Sequence, residues 1–254
     1  CTIGTTMTIK DKAVPNVVGV DIGCGMYTVN LGNIKIDFEK VDEAAHFIPS
    51  GRNVWEGRQE KFDLTKLRCY RELKNTKWLE RSLGTLGGGN HFIEIDEAAD
   101  GTKYLIIHSG SRNLGKQVAE FYQQLAVNLD RGYGEYLEKR DEIIRTYKEQ
   151  GRRKEIQQAL EKLHWQVYES ETNMPEDLCF LSGKYLDDYL YDVEICQAFA
   201  KRSREKMAEI ILERTGMLGR EAFHTIHNYI DIKEMILRKG AIAAHKDQLV
   251  IVNT

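Results

Sequence analysis

The stretch Ser82-Leu-Gly-Thr-Leu-Gly-Gly-Gly-Asn90-His91-Phe-Ile-Glu-Ile95 constrains this chain more than any other. Four glycines (Gly84, Gly87, Gly88, Gly89) fall within six positions, and a short alternating segment follows at once. Glycine has no Cβ, so such a loop can reach φ > 0, let a ligand approach the main chain, and aim successive N–H groups at an anion such as phosphate. The period of two from Asn90 to Ile95 predicts a strand. His91, Ile93 and Ile95 share one face, and Asn90, Phe92 and Glu94 the other. One face can then hold a metal and the other a ligand. A tight hairpin entry with a buried histidine fits the same residues, and the loop alone leaves both readings open.

Three other places carry chemistry-bearing residues beside a turn. In Asp21-Ile-Gly-Cys24-Gly-Met26 a carboxylate and a thiol share one tight, glycine-flanked turn at a strand end. That donor pair suits Mn²⁺, Zn²⁺ or Fe²⁺, with a thiolate able to bridge two ions, although a lone cysteine also serves as buried filler. Tyr104-Leu-Ile-Ile107 reads as a buried strand with His108 at its carboxyl end, where open sheets place their ligands. Ser109-Gly-Ser-Arg112 then offers hydroxyls and a bidentate phosphate binder, and Asn113 is expected to cap a helix from Leu114 to Leu129. Between Phe223 and Ile230, a strand would place His227 with Phe223, Thr225 and Tyr229, whereas a helix would pair His224 with His227. Spacing does not choose between them. His224 and His245 suit packing or surface roles equally well, and Arg238-Lys239 can face a phosphate or solvent.

The remaining pattern predicts strands over Cys1–Ile9, Asn16–Asp21, Tyr27–Leu31 and Ile34–Phe38, then a short helix from near Val41. Trp78, Leu79 and Leu83 lie on a helix-like stretch that suits core packing. Residues 131–170 alternate dense charge with apolar residues, as one or two long amphipathic helices broken near Gly151. The Arg152-Arg153-Lys154 run there fits a solvated face or an RNA contact. Pro175 closes this arm, and Tyr185–Leu212 forms another long helix that buries Tyr189, Ile195, Phe199, Met207 and Ile211. The expected fold is α+β: a single domain over 1–254, with a mixed β-sheet body carrying the metal site and a helical insertion over about 114–214.

Composition bounds the function. A net charge of −3 argues against coating nucleic acid by bulk electrostatics, while leaving room for a local basic groove. Five scattered cysteines lack paired spacing, which disfavours a disulfide framework or a four-cysteine zinc module and suggests a reducing, cytoplasmic setting. No apolar run approaches the roughly 18 to 20 residues of a membrane span, and no basic-then-apolar leader opens the chain. The opening at Cys1 and the apolar run Leu249–Val252 suggest a piece of something longer, or a chain whose partner elements are missing.

Asp21, Cys24, His91, His108 and His227 together supply five N, O and S ligands of the kind a dinuclear transition-metal site uses, next to two anion-holding loops. That set points to metal-assisted phosphoryl chemistry. Val-Gly-Val-Asp21-Ile-Gly-Cys24-Gly-Met, Gly-Thr-Leu-Gly-Gly-Gly-Asn90-His91-Phe-Ile-Glu94, His108-Ser-Gly-Ser-Arg112-Asn-Leu-Gly, His227-Asn228 and Arg238-Lys239-Gly-Ala occur in that order over nearly the whole chain. They closely resemble the motifs of the RtcB-type RNA-splicing ligases. The resemblance implies a ligase dependent on GTP and two Mn²⁺ ions that joins an RNA 3′-phosphate or 2′,3′-cyclic phosphate end to a 5′-hydroxyl end, in tRNA splicing or RNA repair. It further implies that Cys24 bridges the ions, with Asp21 and His91 completing one and His108 and His227 the other. Asn90 would contact nucleotide phosphates, Phe92 and Glu94 the guanine, and Arg112 an RNA phosphate.

The family's guanylylated histidine belongs to a later His-Gly-x-Gly-Arg-like segment, which does not occur here. None of the seven histidines fits that role, so no catalytic nucleophile is assigned, and the chain is expected to be truncated at both ends. A second chain or accessory protein would then supply the nucleophile. Two other readings share the cluster: a non-catalytic metal- and RNA-binding fragment or subunit, and a phosphoesterase using water as nucleophile.

Overall fold

The computed structural model describes residues 2–168 and 171–251. Its strands form three sheets. β1 (Thr5–Thr8), β8 (Asn228–Asp231) and β9 (Ile236–Lys239) are ordered β1-β9-β8, while β2 (Lys12–Ala13) pairs with β6 (Leu181–Ser182). The largest sheet contains β3 (Gly25–Gly32), β4 (Phe92–Glu97), β5 (Lys103–Ser109) and β7 (Ala222–Ile226), ordered β4-β5-β3-β7. The α+β class holds, and every strand pairing is antiparallel, a more uniform body than the mixed sheet expected.

One face of the large sheet is closed by helices. Val29 and Leu31 of β3 and Leu105 and Ile107 of β5 pack with Met207, Ala208 and Ile211 of α7 (Gly183–Thr215) and with Ala44 of α2 (Phe38–Phe47). A second core joins the other half of α7 to α4 (Arg112–Asp130). Leu114, Val118, Tyr122 and Ala126 recur every four residues and meet Leu186, Tyr189, Val193, Cys196 and Phe199. This is the apolar stripe of an amphipathic helix, and each fully buried Leu or Val on it contributes about 1.5–3 kcal/mol. α5 (Tyr133–Glu149) buries no side chain and packs on α6 (Ile156–Tyr168), with the break at Gly151 as expected. Leu79 and Leu83, on and just after α3 (Thr76–Arg81), are fully buried. Among the described residues, no helix is long and apolar enough to cross a membrane.

Several local expectations are corrected. Asn16–Asp21 is not a strand: Pro15 stands at the start of a short helix, α1 (Pro15–Val18), where its fixed φ and missing N–H suit the first turn. Ile34–Phe38 is not a strand either, because Asp37 caps α2 by accepting from the Lys40 amide. Asn113 is not a cap; α4 starts at Arg112, with Ser111 at the N-cap position. The strand after the glycine loop runs from Phe92 to Glu97, later than expected, and strand character at the C-terminal side ends with β9 at Lys239. Leu249 to Ile251 form no strand, and Val252 lies outside the described residues.

Candidate metal centre

The register of the large sheet gathers the candidate ligands. Gly25 of β3 pairs with Ser109 of β5 on one side and Ile226 of β7 on the other, and Phe92 of β4 pairs with His108. Residues adjoining these pairs, Cys24, His91 and His227, therefore meet at one end of the sheet beside His108. The Cys24 turn is closed by its own amide donating to the Asp21 carbonyl at 3.2 Å, and the His227 amide donates to the Cys24 carbonyl at 3.0 Å. At Gly25 a Cβ would strike the Thr225 carbonyl and Ile226 Cα, so only glycine lets β7 come this close.

The resulting cluster is compact. Cys24 Sγ lies 3.2 Å from His108 Nε2 and 3.6 Å from His91 Nε2. His108 Nε2 lies 3.3 Å from His227 Nε2, and His91 Nε2 lies 3.1 Å from Asp21 Oδ2. Two trios result, Asp21-Cys24-His91 and Cys24-His108-His227, each with ligand atoms within 4.8 Å of one another, and they share the cysteine sulfur. Cys24 and His108 are buried.

The histidines are held by their outer nitrogens. His91 Nδ1 is 3.1 Å from the Leu86 carbonyl and His108 Nδ1 is 3.0 Å from the Asn90 carbonyl; both contacts put a proton on Nδ1 and aim Nε2 into the cluster, where that of His91 meets the Asp21 carboxylate. His91 precedes β4, so the strand's alternation does not orient it; the glycine loop does. That loop is fixed in turn by Arg112, whose Nε donates to Thr85 Oγ1 at 3.1 Å and Nη2 to the Gly51 carbonyl at 2.7 Å. Gly87 has φ +94° and no room for a Cβ against the Arg112 guanidinium, so the loop needs glycine there.

The electrostatics favour ligands over charges. Burial, then the neighbouring His227 and His91, push the His108 pKa down to about 4. Burial likewise lowers His227. Burial and the Asp21 carboxylate drive the Cys24 thiol far above its ordinary range. For Asp21, burial raises the pKa, but the His91 hydrogen bond and charge outweigh it, leaving the carboxyl below its usual value. A donor set of one carboxylate, one cysteine and three imidazoles fits borderline divalent metals. The 3.3 Å between two Nε2 atoms matches ligands that share an ion at bonds of about 2.0–2.1 Å.

The other expected site residues are less concentrated. Phe92 stacks edge-on to the His108 ring with centroids 5.0 Å apart. Glu94 is exposed on the same face of β4, its pKa raised by partial burial and Asp96. Asp96, Tyr104, Ile106 and Thr28 line a cleft of about 710 Å³ on the sheet face away from α7. Asn90 is exposed and its carbonyl, not its side chain, meets His108. Arg238 is nine-tenths buried beside Tyr229, and Lys239 Nζ donates to the Val18 carbonyl at 3.1 Å, so neither simply faces solvent. His224 lies outside the cluster, stacked on Tyr27 and 3.1 Å from Glu205. His245 is exposed, and Arg152 pairs with Glu155.

Two expected results follow from this geometry. Because burial lowers His108 and His224 to about 4 from an unfolded value near 6.5, the unfolded chain binds more protons between those limits. The metal-free protein is therefore fully stabilised by these groups above pH 6.5 and loses about 2–3 kcal/mol per histidine as pH falls towards 4. Urea midpoints at pH 7 and pH 4.5 measure it, and equal midpoints would refute it. Second, a Cβ at Gly110 would collide with the Asp21 carboxylate. Gly110→Ala should displace Asp21 and weaken divalent-metal binding about 10–100-fold at unchanged fold; unaltered affinity by titration calorimetry would show that Asp21 is not held there.

Fold and cluster define an α+β protein whose donor set suits a pair of divalent transition-metal ions sharing one sulfur. The family model for tRNA-splicing ligase RtcB matches residues 56–253, and the chain belongs to the RtcB family. It is 28% identical over 297 residues to RNA-splicing ligase RtcB of Escherichia coli K12, and 28% identical over 298 residues to RNA-splicing ligase RtcB1 of a second Escherichia coli strain. Each alignment takes in 99% of this chain and 63% of the relative, so the chain spans less than two thirds of the length of these curated relatives. A shorter match, 38% identical over 66 residues, covers 20% of the chain and 14% of tRNA-splicing ligase RtcB of Thermococcus kodakarensis.

Proposed function

We propose that this chain carries the metal- and nucleotide-binding part of an RNA ligase that joins 3′-phosphate or 2′,3′-cyclic phosphate ends to 5′-hydroxyl ends, with GTP and Mn²⁺, in a cytoplasmic setting. The observation that carries the reading is the pair of ligand trios sharing Cys24 Sγ in a chain of the RtcB family. Asp21 and His91 would hold one ion and His108 and His227 the other, with Cys24 available to both. Bound there, such ions supply Lewis-acid stabilisation of phosphate oxygens.

The chain's own residues supply the rest. The carbonyls of Leu86 and Asn90 keep His91 and His108 in the tautomer that presents Nε2. Phe92, against His108, offers a stacking surface to a base, and Glu94 an acceptor for the N–H edge of a guanine. Asn90 reaches nucleotide phosphates from the exposed rim of the glycine loop. Arg112 spends Nε and Nη2 on Thr85 and Gly51, so contact with an RNA phosphate falls to Nη1.

The test incubates the full chain with Mn²⁺, labelled GTP and RNA bearing 3′-phosphate and 5′-hydroxyl ends. Mn²⁺-dependent retention of the labelled GTP is the expected result for a part without the family's histidine segment, and joined RNA or a covalent GMP adduct would reveal in addition an acceptor that no histidine motif here identifies. Release of inorganic phosphate without joining contradicts the reading and makes the cluster a phosphoesterase. No retention of GTP in the presence of Mn²⁺ contradicts the nucleotide-binding part of the reading.

A further inference from the structure

α7 carries a buried cation that the ligand set does not use. Arg204 is fully buried, yet no carboxylate forms an ion pair with it among the described residues. Its neighbour Glu205 is engaged by Arg202 and His224. Arg204 Nη1 donates to the Gly23 carbonyl at 2.8 Å and to the Ser109 carbonyl at 2.6 Å. Gly23 precedes Cys24 and Ser109 follows His108, so one guanidinium nitrogen bridges the two segments whose ligands are 3.2 Å apart. Burial lowers its pKa only to about 10, with Cys24, Asp21 and Glu205 drawing it back up, so it remains a cation at neutral pH.

The same helix touches the other ligand-bearing loops. The Gly84 amide donates to Ser203 Oγ at 3.0 Å, the Ile230 amide to Gln197 Oε1 at 2.8 Å, and Ala200 sits against Gly23. Residues 197, 200, 203 and 204 share one face of α7 by the spacing of a helix. Polar contacts there reach the Asp21–Cys24 turn, the glycine loop, the end of β5 and the β7–β8 region, all from one rigid element. Arg204 Nη1 finds both its partners in the carbonyls of the ligand segments, while Nε and Nη2 are buried without a hydrogen-bond partner among the described residues, so those two bonds are what hold this cation in place.

Building on the metal reading, we propose that Arg204 is a positioning residue of the metal centre, tying the Cys24 turn to the end of β5 and thereby setting the Cys24–His108 spacing. It touches no reacting group and acts through the two ligand segments. Lysine is not an equivalent replacement: the rigid planar guanidinium fixes Nη1 between the two carbonyls, whereas an ammonium on a shorter, flexible stem has no such fixed position.

Mn²⁺ titration of the full chain tests this, using wild type, Arg204→Met, Arg204→Lys and, as a control in the same helix, Met207→Ala. Met207 is fully buried in the sheet core and reports what loss of α7 packing alone does. The expected result is an Mn²⁺ affinity weakened about 10–100-fold in both Arg204 variants, the scale for residues that orient ligands from behind, and unchanged in Met207→Ala. Should Arg204→Met not fold, Arg204→Lys carries the comparison. Wild-type affinity in an Arg204 variant, or an equal loss in Met207→Ala, overturns the positioning role alone. Absence of Mn²⁺ uptake by wild type overturns the metal reading and this inference with it.

Discussion

Cys24→Ala is expected to abolish binding of both divalent ions while leaving the chain folded. Cys24 Sγ is the one atom common to both ligand trios. Removing it takes a donor from each, unlike loss of an outer ligand. Outer-shell changes alone cost metal sites about 10–100-fold, so losing a shared ligand should exceed ~100-fold at both positions. The fold should tolerate it: the side chain is small, and its removal from a buried site costs on the order of 1 kcal/mol. Asp21→Asn makes the contrast, weakening the trio with His91 and sparing the one with His108 and His227. Metal analysis after gel filtration checks both variants. Full stoichiometry in Cys24→Ala would mean that the sulfur is filler, and loss of both ions in Asp21→Asn would mean that the trios are not separable.

The largest expected effect on stability is that of Asp192→Ala. Asp192 is fully buried on α7 and accepts from the amides of Arg68 at 2.7 Å and Cys69 at 3.0 Å and from Tyr122 Oη at 2.8 Å. It thus joins α7 to α4 and to the segment before α3. Alanine leaves three donors without an acceptor, two of them buried, at about 1–3 kcal/mol each, so a net loss of about 3–5 kcal/mol is expected. That is a large share of a typical stability of about 5–15 kcal/mol. Asp192→Asn retains one acceptor oxygen but turns an amide donor towards the others, and should fall between the two. Urea denaturation measures the series. A change below about 1 kcal/mol for alanine would show that water satisfies the donors.

Much of the cluster is legible because its residues sit where sequence and backbone chemistry coincide. Cys24 lies between two glycines at the mouth of a strand, His91 directly follows the glycine loop, and His108 ends an apolar run that can only be a buried strand. His227 was not decidable, since its spacing suited helix and strand alike. What fixes it is the pairing of β7 with β3 and the bond from its amide to Cys24, both contacts between distant parts of the chain. Arg204 gave no signal at all. In a long amphipathic helix an arginine is expected to face water, and only the tertiary position of α7 places this one behind the cluster. Arg112 shows the converse: its residue type suggested a phosphate contact, and the fold also uses it to brace the glycine loop. The short strand expected at Asn16–Asp21 failed because an apolar Val-Val-Gly-Val run looks extended while Pro15 starts a helical turn.

Electron paramagnetic resonance of the full chain loaded with Mn²⁺ tests the central claim most directly. Two ions joined by one cysteine sulfur should be spin-coupled, giving a broad exchange-coupled spectrum that grows to two Mn²⁺ per chain. A simple six-line spectrum of isolated Mn²⁺, saturating at one ion per chain, would contradict the shared-sulfur centre.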